Sequence, residues 1–174
     1  QDIKSFVRIK EIEYNPEIVE GNFDSMHLSQ VHAYIFQDSP ELSPGKFRHD
    51  TENWFKQRQL ESEKIYYSVP YLRGKKISKN LNQILNLNFE KLNEIKPEDF
   101  CQFFTNLYAQ LDFTHPFLEG NSRTLRTFTR LLAKKIGYNI SWNTTNANAV
   151  TRDTLYKARD IEVINQYYCN KLDD

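Results

Sequence analysis

Residues 114–128 read THPFLEGNSRTLRTF, and they separate two segments whose apolar residues recur every three or four positions. This spacing places the apolar side chains on one face of an α-helix. The upstream stripe comprises Phe100, Phe103, Phe104, Leu107 and Leu111, and the downstream stripe comprises Leu125, Phe128, Leu132 and Ile136. The sequence therefore predicts one helix from Pro97 and another from about Ser122 to Ile136, joined by a short rigid loop, His115 to Asn121.

The end of this loop is a candidate anion site. Gly120 and Asn121 immediately precede the second helix, whose first backbone N–H groups have no partner within the helix and whose dipole favours negative charge. Asn121 could equally serve only to cap the helix. Arg123, Arg126 and Arg130 share one face of the helix, turned away from the apolar stripe. Together these features favour a polyphosphate ligand over a solvated surface.

Two further residues of the loop carry chemistry. A carboxylate at Glu119 would repel phosphates unless Mg²⁺, which binds carboxylate and phosphate oxygens together, lies between them. His115 is the side chain there whose ordinary pKa suits proton removal near neutral pH. The set predicts phosphoryl or nucleotidyl transfer, and the absence of a Walker loop or a kinase Gly-rich loop excludes the usual ATP-binding folds.

The rest of the chain also favours helices, because it holds only 5 glycines and 6 prolines and no sustained alternating pattern. Helices are predicted at 24–36, with His32 as a core histidine that has a hydrogen-bond partner, and at about 149–168. Lys46 and Arg48 lie in a predicted loop, where they are either anion ligands or solvated charges. Cys101 is predicted to be a buried thiol, since it lies within an apolar helical pattern.

Residues 65–77, IYYSVPYLRGKKI, form the one stretch rich in strand formers. Arg73-Gly74 offers a turn within it, so a short β-hairpin is predicted there, although Pro70 interrupts the pattern.

Size and charge restrict the possible functions. The 174 residues suit one domain, and 23 basic residues balance 23 acidic ones, so no net field draws the chain to nucleic acid or to a membrane surface. No apolar run approaches the length of a membrane helix, and two distant cysteines indicate reduced thiols. A cytoplasmic protein is expected, with neither nucleic acid nor a membrane as its partner.

The segment HPFLEGNSRTLR at 115–126 closely resembles the signature of the Fic (filamentation induced by cAMP) domain, His-Pro-Phe-x-Asp/Glu-Gly-Asn-Gly-Arg-x-x-Arg. GNFD at 21–24 and GKFR at 45–48 also resemble the start of a compact bacterial Fic protein. The resemblance implies an all-α Fic fold, a helical bundle with a short β-hairpin flap beside the active site. It also implies a single domain across 1–174, with a core of about 21–168.

The implied activity is that of a protein adenylyltransferase, which transfers AMP from ATP to a Tyr, Ser or Thr hydroxyl of a target protein and releases pyrophosphate. In this family His115 would deprotonate the hydroxyl, and Glu119 would hold Mg²⁺. The hairpin would clamp the backbone of the target as an added strand.

The resemblance also implies which residues bind the nucleotide. Gly120 and Asn121 would form the anion hole, Arg123 would steady the departing phosphates, and Arg126 would pair with the γ-phosphate. Ser122 replaces the second glycine of the signature. Its side chain could crowd the nucleotide or add a hydrogen bond.

A second departure concerns control. Many Fic proteins carry an inhibitory motif, Ser/Thr-x-x-x-Glu-Gly/Asn, but no Ser or Thr of this chain precedes a Glu by four places. Any inhibitor is therefore expected to be a separate small antitoxin protein. Two alternatives to adenylyl transfer stay open: a Fic-fold transferase with another nucleotide or phosphate-containing donor, and a catalytically degenerate Fic-fold interaction domain.

Overall fold

The computed structural model describes residues 3–142 and 148–172, and this part of the chain is mainly helical with one two-stranded sheet. In chain order its elements are α1 (Ile3–Tyr14), α2 (Ser25–Ile35), β1 (Trp54–Leu60), β2 (Ile65–Tyr71), α3 (Ile77–Ile84), α4 (Phe89–Leu92), α5 (Pro97–Thr114), α6 (Asn121–Lys135) and α7 (Ala149–Leu172). The predicted all-α bundle with a hairpin is confirmed.

The two helices predicted on either side of the loop are α5 and α6. Their apolar stripes face inward: Leu111, Leu125 and Phe128 are fully buried, and they pack with Leu28 and Val31 of α2 in the main core. Asp24 caps the start of α2, since its carboxylate accepts the backbone N–H of His27. Aspartate is a preferred residue at this position. The predicted α7 also forms.

The hairpin forms, but the prediction of its position is wrong. Residues 65–71 are its second strand, and they pair antiparallel with β1, from Trp54 opposite Tyr71 to Leu60 opposite Ile65. Arg73-Gly74 is not the turn; a short 3₁₀ helix begins there. The first strand escaped prediction because WFKQRQL is poor in strand formers, and strand propensity depends strongly on context. A two-stranded sheet has only edge strands, which tolerate proline.

The hairpin is fastened to α7. Asp153 accepts hydrogen bonds from the backbone N–H and the hydroxyl of Ser62, in the turn between the strands, at 2.7 and 2.5 Å. Nearer its base, the hydroxyl of Tyr67 donates to Asp160. These contacts join the turn and the middle of the hairpin to one helix, so α7 holds the outer part of the hairpin in place.

The sequence patterns missed α1, α3 and α4. The prediction for Cys101 is also wrong, since this residue is exposed. It follows Phe100 on α5 and points away from the buried stripe, because neighbouring helical positions diverge by about 100°. No helix in the described residues has both the length and the apolar character that crossing a membrane would require.

Candidate active site

His115 directly follows the last residue of α5 and is the C-terminal cap of that helix. Its backbone is left-handed, with φ of 45°, which turns the chain sharply out of the helix. The side chain is only 4% exposed, and its ring centroid lies 4.0 Å from that of Tyr71 at the end of β2. Neither ring nitrogen has a hydrogen-bond partner. The imidazole is therefore packed beneath the base of the hairpin.

The surroundings keep the imidazole neutral. Burial holds the pKa of His115 well below its ordinary value, and the cations of Lys56, Arg48, Arg58 and Arg159 lower it further. A neutral ring has one nitrogen with a free lone pair. The lowered pKa favours the neutral ring, which is the protonation state that a general base needs.

Inward hydrogen bonds hold the backbone of the loop. The side chain of Arg48 donates to the carbonyl oxygens of Thr114 and His115 at 3.1 and 2.6 Å, and its backbone N–H donates to that of Pro116. The Nε2–H of His32 donates to the carbonyl oxygen of Glu119 at 3.1 Å. These bonds give the loop the geometric restraint that catalysis requires.

Two expectations about these side chains are decided here. His32 is fully buried, accepts the Gly45 N–H at 2.9 Å and is a core histidine as predicted. Arg48 is neither an anion ligand nor a solvated charge, because it is buried and directs its donors to protein carbonyls and to Asp50.

Asn121 spans the loop instead of capping the helix. Its Oδ1 accepts the Phe117 N–H at 2.9 Å, and its Nδ2 donates to the Phe117 carbonyl oxygen at 2.7 Å. The residue before α6 is Gly120, with φ of 77° and no side-chain cap. The N-terminus of α6, with its partial positive charge, is therefore left for an anion.

Two arginines lie beside this helix start. The guanidinium of Arg123 lies 4.6 Å from the ring centre of Phe36, and that of Arg126 lies 5.0 Å from the indole of Trp142. Stacking on an aromatic ring orients a planar guanidinium while leaving its edge able to form bidentate bonds with a phosphate.

Helix α1 contacts the same face of α6. Arg123 donates to the hydroxyl of Ser5 at 2.6 Å, and Arg130 forms an ion pair with Glu13. Arg130 is therefore already bound to a carboxylate.

Glu119 lies in the open part of the loop. Its side chain is 60% exposed, and Oε1 is 2.9 Å from the Nζ of Lys56 on β1. Among the described residues no cluster of three or more His, Cys, Asp or Glu side chains could hold a metal ion. A single exposed carboxylate beside an anion site nevertheless fits Mg²⁺, which protein sites often bind through one carboxylate and the phosphates of the substrate.

A cavity of about 880 Å³ lies between α3, α5 and α7, and no residue of the 115–126 segment lines it. A smaller hollow of about 350 Å³ adjoins Leu118. At the helix start Glu119 and Arg123 are exposed, whereas Asn121 is buried.

Sequence reasoning missed three side chains that surround His115. Arg48, Lys56 and Tyr71 come from a loop and from the two strands, so only folding brings them to the histidine. Arg48 had a partial signal in the GKFR segment, and Tyr71 lay within the predicted hairpin. Lys56 had none.

Comparison with known proteins identifies similar chains. The Fic/DOC family model matches residues 22–133. The protein adenylyltransferase VbhT of Bartonella schoenbuchensis is 29% identical over 156 residues, which cover 87% of this chain and 29% of VbhT. The chain thus spans less than a third of that relative's length.

Two solved structures have a similar fold. The N-terminal Fic domain of a Bartonella quintana cell filamentation protein, solved with bound ADP, aligns with a TM-score of 0.64 at 20% identity and covers 89% of this chain and 80% of its own. BepC of Bartonella tribocorum, solved with bound AMPPNP, aligns with a TM-score of 0.57 at 21% identity, covering 83% and 73%.

Proposed function

The chain belongs to the Fic/DOC family, and from this membership we propose that it is a protein adenylyltransferase, which transfers AMP from ATP to a Tyr, Ser or Thr hydroxyl of a target protein. The observation that carries the proposal is one seven-residue loop that begins with a neutral imidazole and ends at an uncapped helix N-terminus. The first is suited to take a proton and the second to bind phosphate.

In the proposed reaction the triphosphate lies at the start of α6. Gly120 and Asn121 form the anion hole, with Ser122 at its edge, while Arg123 steadies the departing phosphates and Arg126 pairs with the γ-phosphate. The hydroxyl oxygen of the target attacks the α-phosphorus and passes its proton to His115. The bond from the α-phosphorus to the bridging oxygen breaks, and pyrophosphate leaves.

Glu119 would hold Mg²⁺, which when bound neutralises charge on the phosphate oxygens. In the structure the carboxylate of Glu119 forms an ion pair with Lys56. An exposed ion pair of this kind is worth only about 0–1 kcal/mol, so a divalent cation can displace it.

The buried imidazole places one condition on the reaction. A hydroxyl can contact a ring nitrogen of His115 only after the ring turns or the base of the hairpin moves, because Tyr71 covers the ring. We expect that binding of the target brings about this change. A separate inhibitory antitoxin protein and a cytoplasmic location remain part of the proposal.

The test is transfer of labelled AMP from ATP to proteins of a cell lysate by the purified chain, with and without Mg²⁺. His115→Ala should abolish transfer while ATP binding persists, since a general base acts on the transition state. His49→Ala is the matched control, because His49 is exposed and outside the loop.

Unchanged transfer by His115→Ala would refute its role. Each other labelled nucleotide is offered in parallel, and transfer from one of these alone would identify a different donor. Binding of ATP without transfer of any label would favour an interaction domain.

A further inference from the structure

Arg48 concentrates its hydrogen bonds on the turn that carries His115. The side chain is 2% exposed, its Nε donates to the His115 carbonyl oxygen at 2.6 Å, and its Nη2 donates to that of Thr114 at 3.1 Å and to that of Leu72. The remaining Nη1 binds a carboxylate oxygen of Asp50 at 2.5 Å. Three of the four acceptors are backbone oxygens, and two of these belong to Thr114, the last residue of α5, and to His115, the first residue of the loop.

This turn needs such a partner. The last carbonyl oxygens of a helix accept no hydrogen bond from within the helix, and they carry partial negative charge. A buried cation offsets this charge. His115 also adopts the left-handed backbone that a side chain other than glycine disfavours. An ion placed on its carbonyl oxygen holds the turn in this conformation.

Arg48 also joins the turn to the strand that covers the imidazole. Leu72, whose carbonyl oxygen it binds, directly follows Tyr71, and the backbone N–H of Leu72 donates to the Phe113 carbonyl oxygen of α5 at 3.2 Å. The guanidinium of Arg48 thus binds both the backbone of His115 and the residue that follows Tyr71, whose ring packs on the imidazole.

We propose that Arg48 is a positioning residue for the transfer reaction: it holds the backbone of His115 so that the imidazole keeps its place between the end of α5 and the base of the hairpin. This inference rests on the proposed function. Arg48 itself contacts neither the nucleotide site nor the target, because all its donors face protein oxygens.

The test combines kinetics with a direct measure of His115. Arg48→Met keeps an unbranched stem about as long as that of arginine as far as Nε and removes the donors, whereas Arg48→Lys keeps the charge but lacks the planar fork. Tyr138→Phe is the control, since it removes a hydrogen bond to a backbone oxygen, that of Ile95, at the opposite end of α6. Diethylpyrocarbonate, which acylates accessible imidazole nitrogens, followed by peptide mass spectrometry reports the exposure of each histidine.

Arg48→Met should lower kcat roughly hundredfold, the cost of misplacing a catalytic group by about 1 Å, with the KM for ATP within about threefold of wild type. His115 should be acylated roughly tenfold faster than in wild type, because its turn opens locally, while buried His27 stays protected. Arg48→Lys should be intermediate, and Tyr138→Phe should match wild type in both measurements.

Wild-type kcat together with wild-type protection of His115 in Arg48→Met would overturn the proposal. So would equal exposure of His27 and His115 in both Arg48 variants, because Arg48 would then stabilise the whole fold without a specific effect on the turn. If the wild-type chain transfers no nucleotide, the proposed function fails, and the acylation pattern still decides whether Arg48 holds His115 in place.

Discussion

Replacing Gly120 by alanine should damage the nucleotide loop in two separable ways. The residue has φ of 77°, a left-handed conformation that costs a side chain about 1–2 kcal/mol. In addition, an added Cβ would lie within 3.0 Å of the ring of Phe36, which is almost fully buried and cannot easily move. Overpacking of this kind typically costs about 1–3 kcal/mol. The free energy of unfolding should therefore fall by about 2–5 kcal/mol in total.

The chain supplies its own control at Gly137. This glycine also has a left-handed backbone, with φ of 88°, but an added Cβ would meet nothing within 4 Å. Gly137→Ala should thus lose only the conformational contribution, about 1–2 kcal/mol. Both variants gain equally from the stiffer unfolded chain, so the difference between them isolates the collision with Phe36.

Urea unfolding of the two variants and of wild type measures this difference, and calorimetry measures the binding of ATP. Gly120→Ala should also weaken ATP binding, because the loop must shift away from the start of α6, whereas Gly137→Ala should not. Combining Gly120→Ala with Phe36→Leu should recover part of the loss through a favourable coupling energy. Equal losses of stability in Gly120→Ala and Gly137→Ala would refute the argument.

Three further predictions concern the site and its support. Arg126→Ala should weaken ATP binding roughly ten- to hundredfold, the worth of a charge-assisted bond, and wild-type affinity in calorimetry would argue against the clamp. The pKa of His32 is lowered from 6.5 to about 4, mainly by burial and also by the cation of Arg123. Below pH 6.5 the unfolded chain therefore binds a proton that the folded chain does not, and stability should fall by roughly 2 kcal/mol as the pH drops to about 5. Urea unfolding of wild type and of His32→Gln between pH 6.5 and about 5 measures this loss of stability. If the free energy of unfolding fell equally steeply with pH in both proteins, the prediction would be contradicted. Asp112→Asn should cost about 3–5 kcal/mol, because it leaves Arg159 buried without the carboxylate that it binds at 2.7 and 3.0 Å, and a loss below about 1 kcal/mol would exclude that account.

The patterns that predicted correctly are local ones. An apolar stripe of period 3.6 stabilises a helix whenever any apolar surface covers it, whichever part of the chain supplies that surface. For this reason α2, α5, α6 and α7 could be predicted from the sequence. The glycine before α6 and the arginines after it also form a local pattern, because a helix start has the same unpaired donors in every fold, and the anion site that they indicate stays a prediction.

The hairpin shows where local patterns fail. Its first strand, with Lys56 and Arg58, has no intrinsic preference for strand structure, and the contacts that stabilise it lie on α7 and on its partner strand. For the same reason Cys101 could not be placed by the apolar run around it, since the direction of one side chain depends on which side of α5 is covered.

The sequence by itself determined the family, the helices that frame the loop and the order of chemical groups along it, because these depend on residues that are neighbours in the chain. Only the tertiary structure decided the environment of His115: Arg48 on its backbone, Tyr71 on its ring and Lys56 on the nearby Glu119. These three come from segments 44–67 residues away from the residues that they contact. Their burial and their effect on the pKa exist only once the core has closed, because both depend on the exclusion of water.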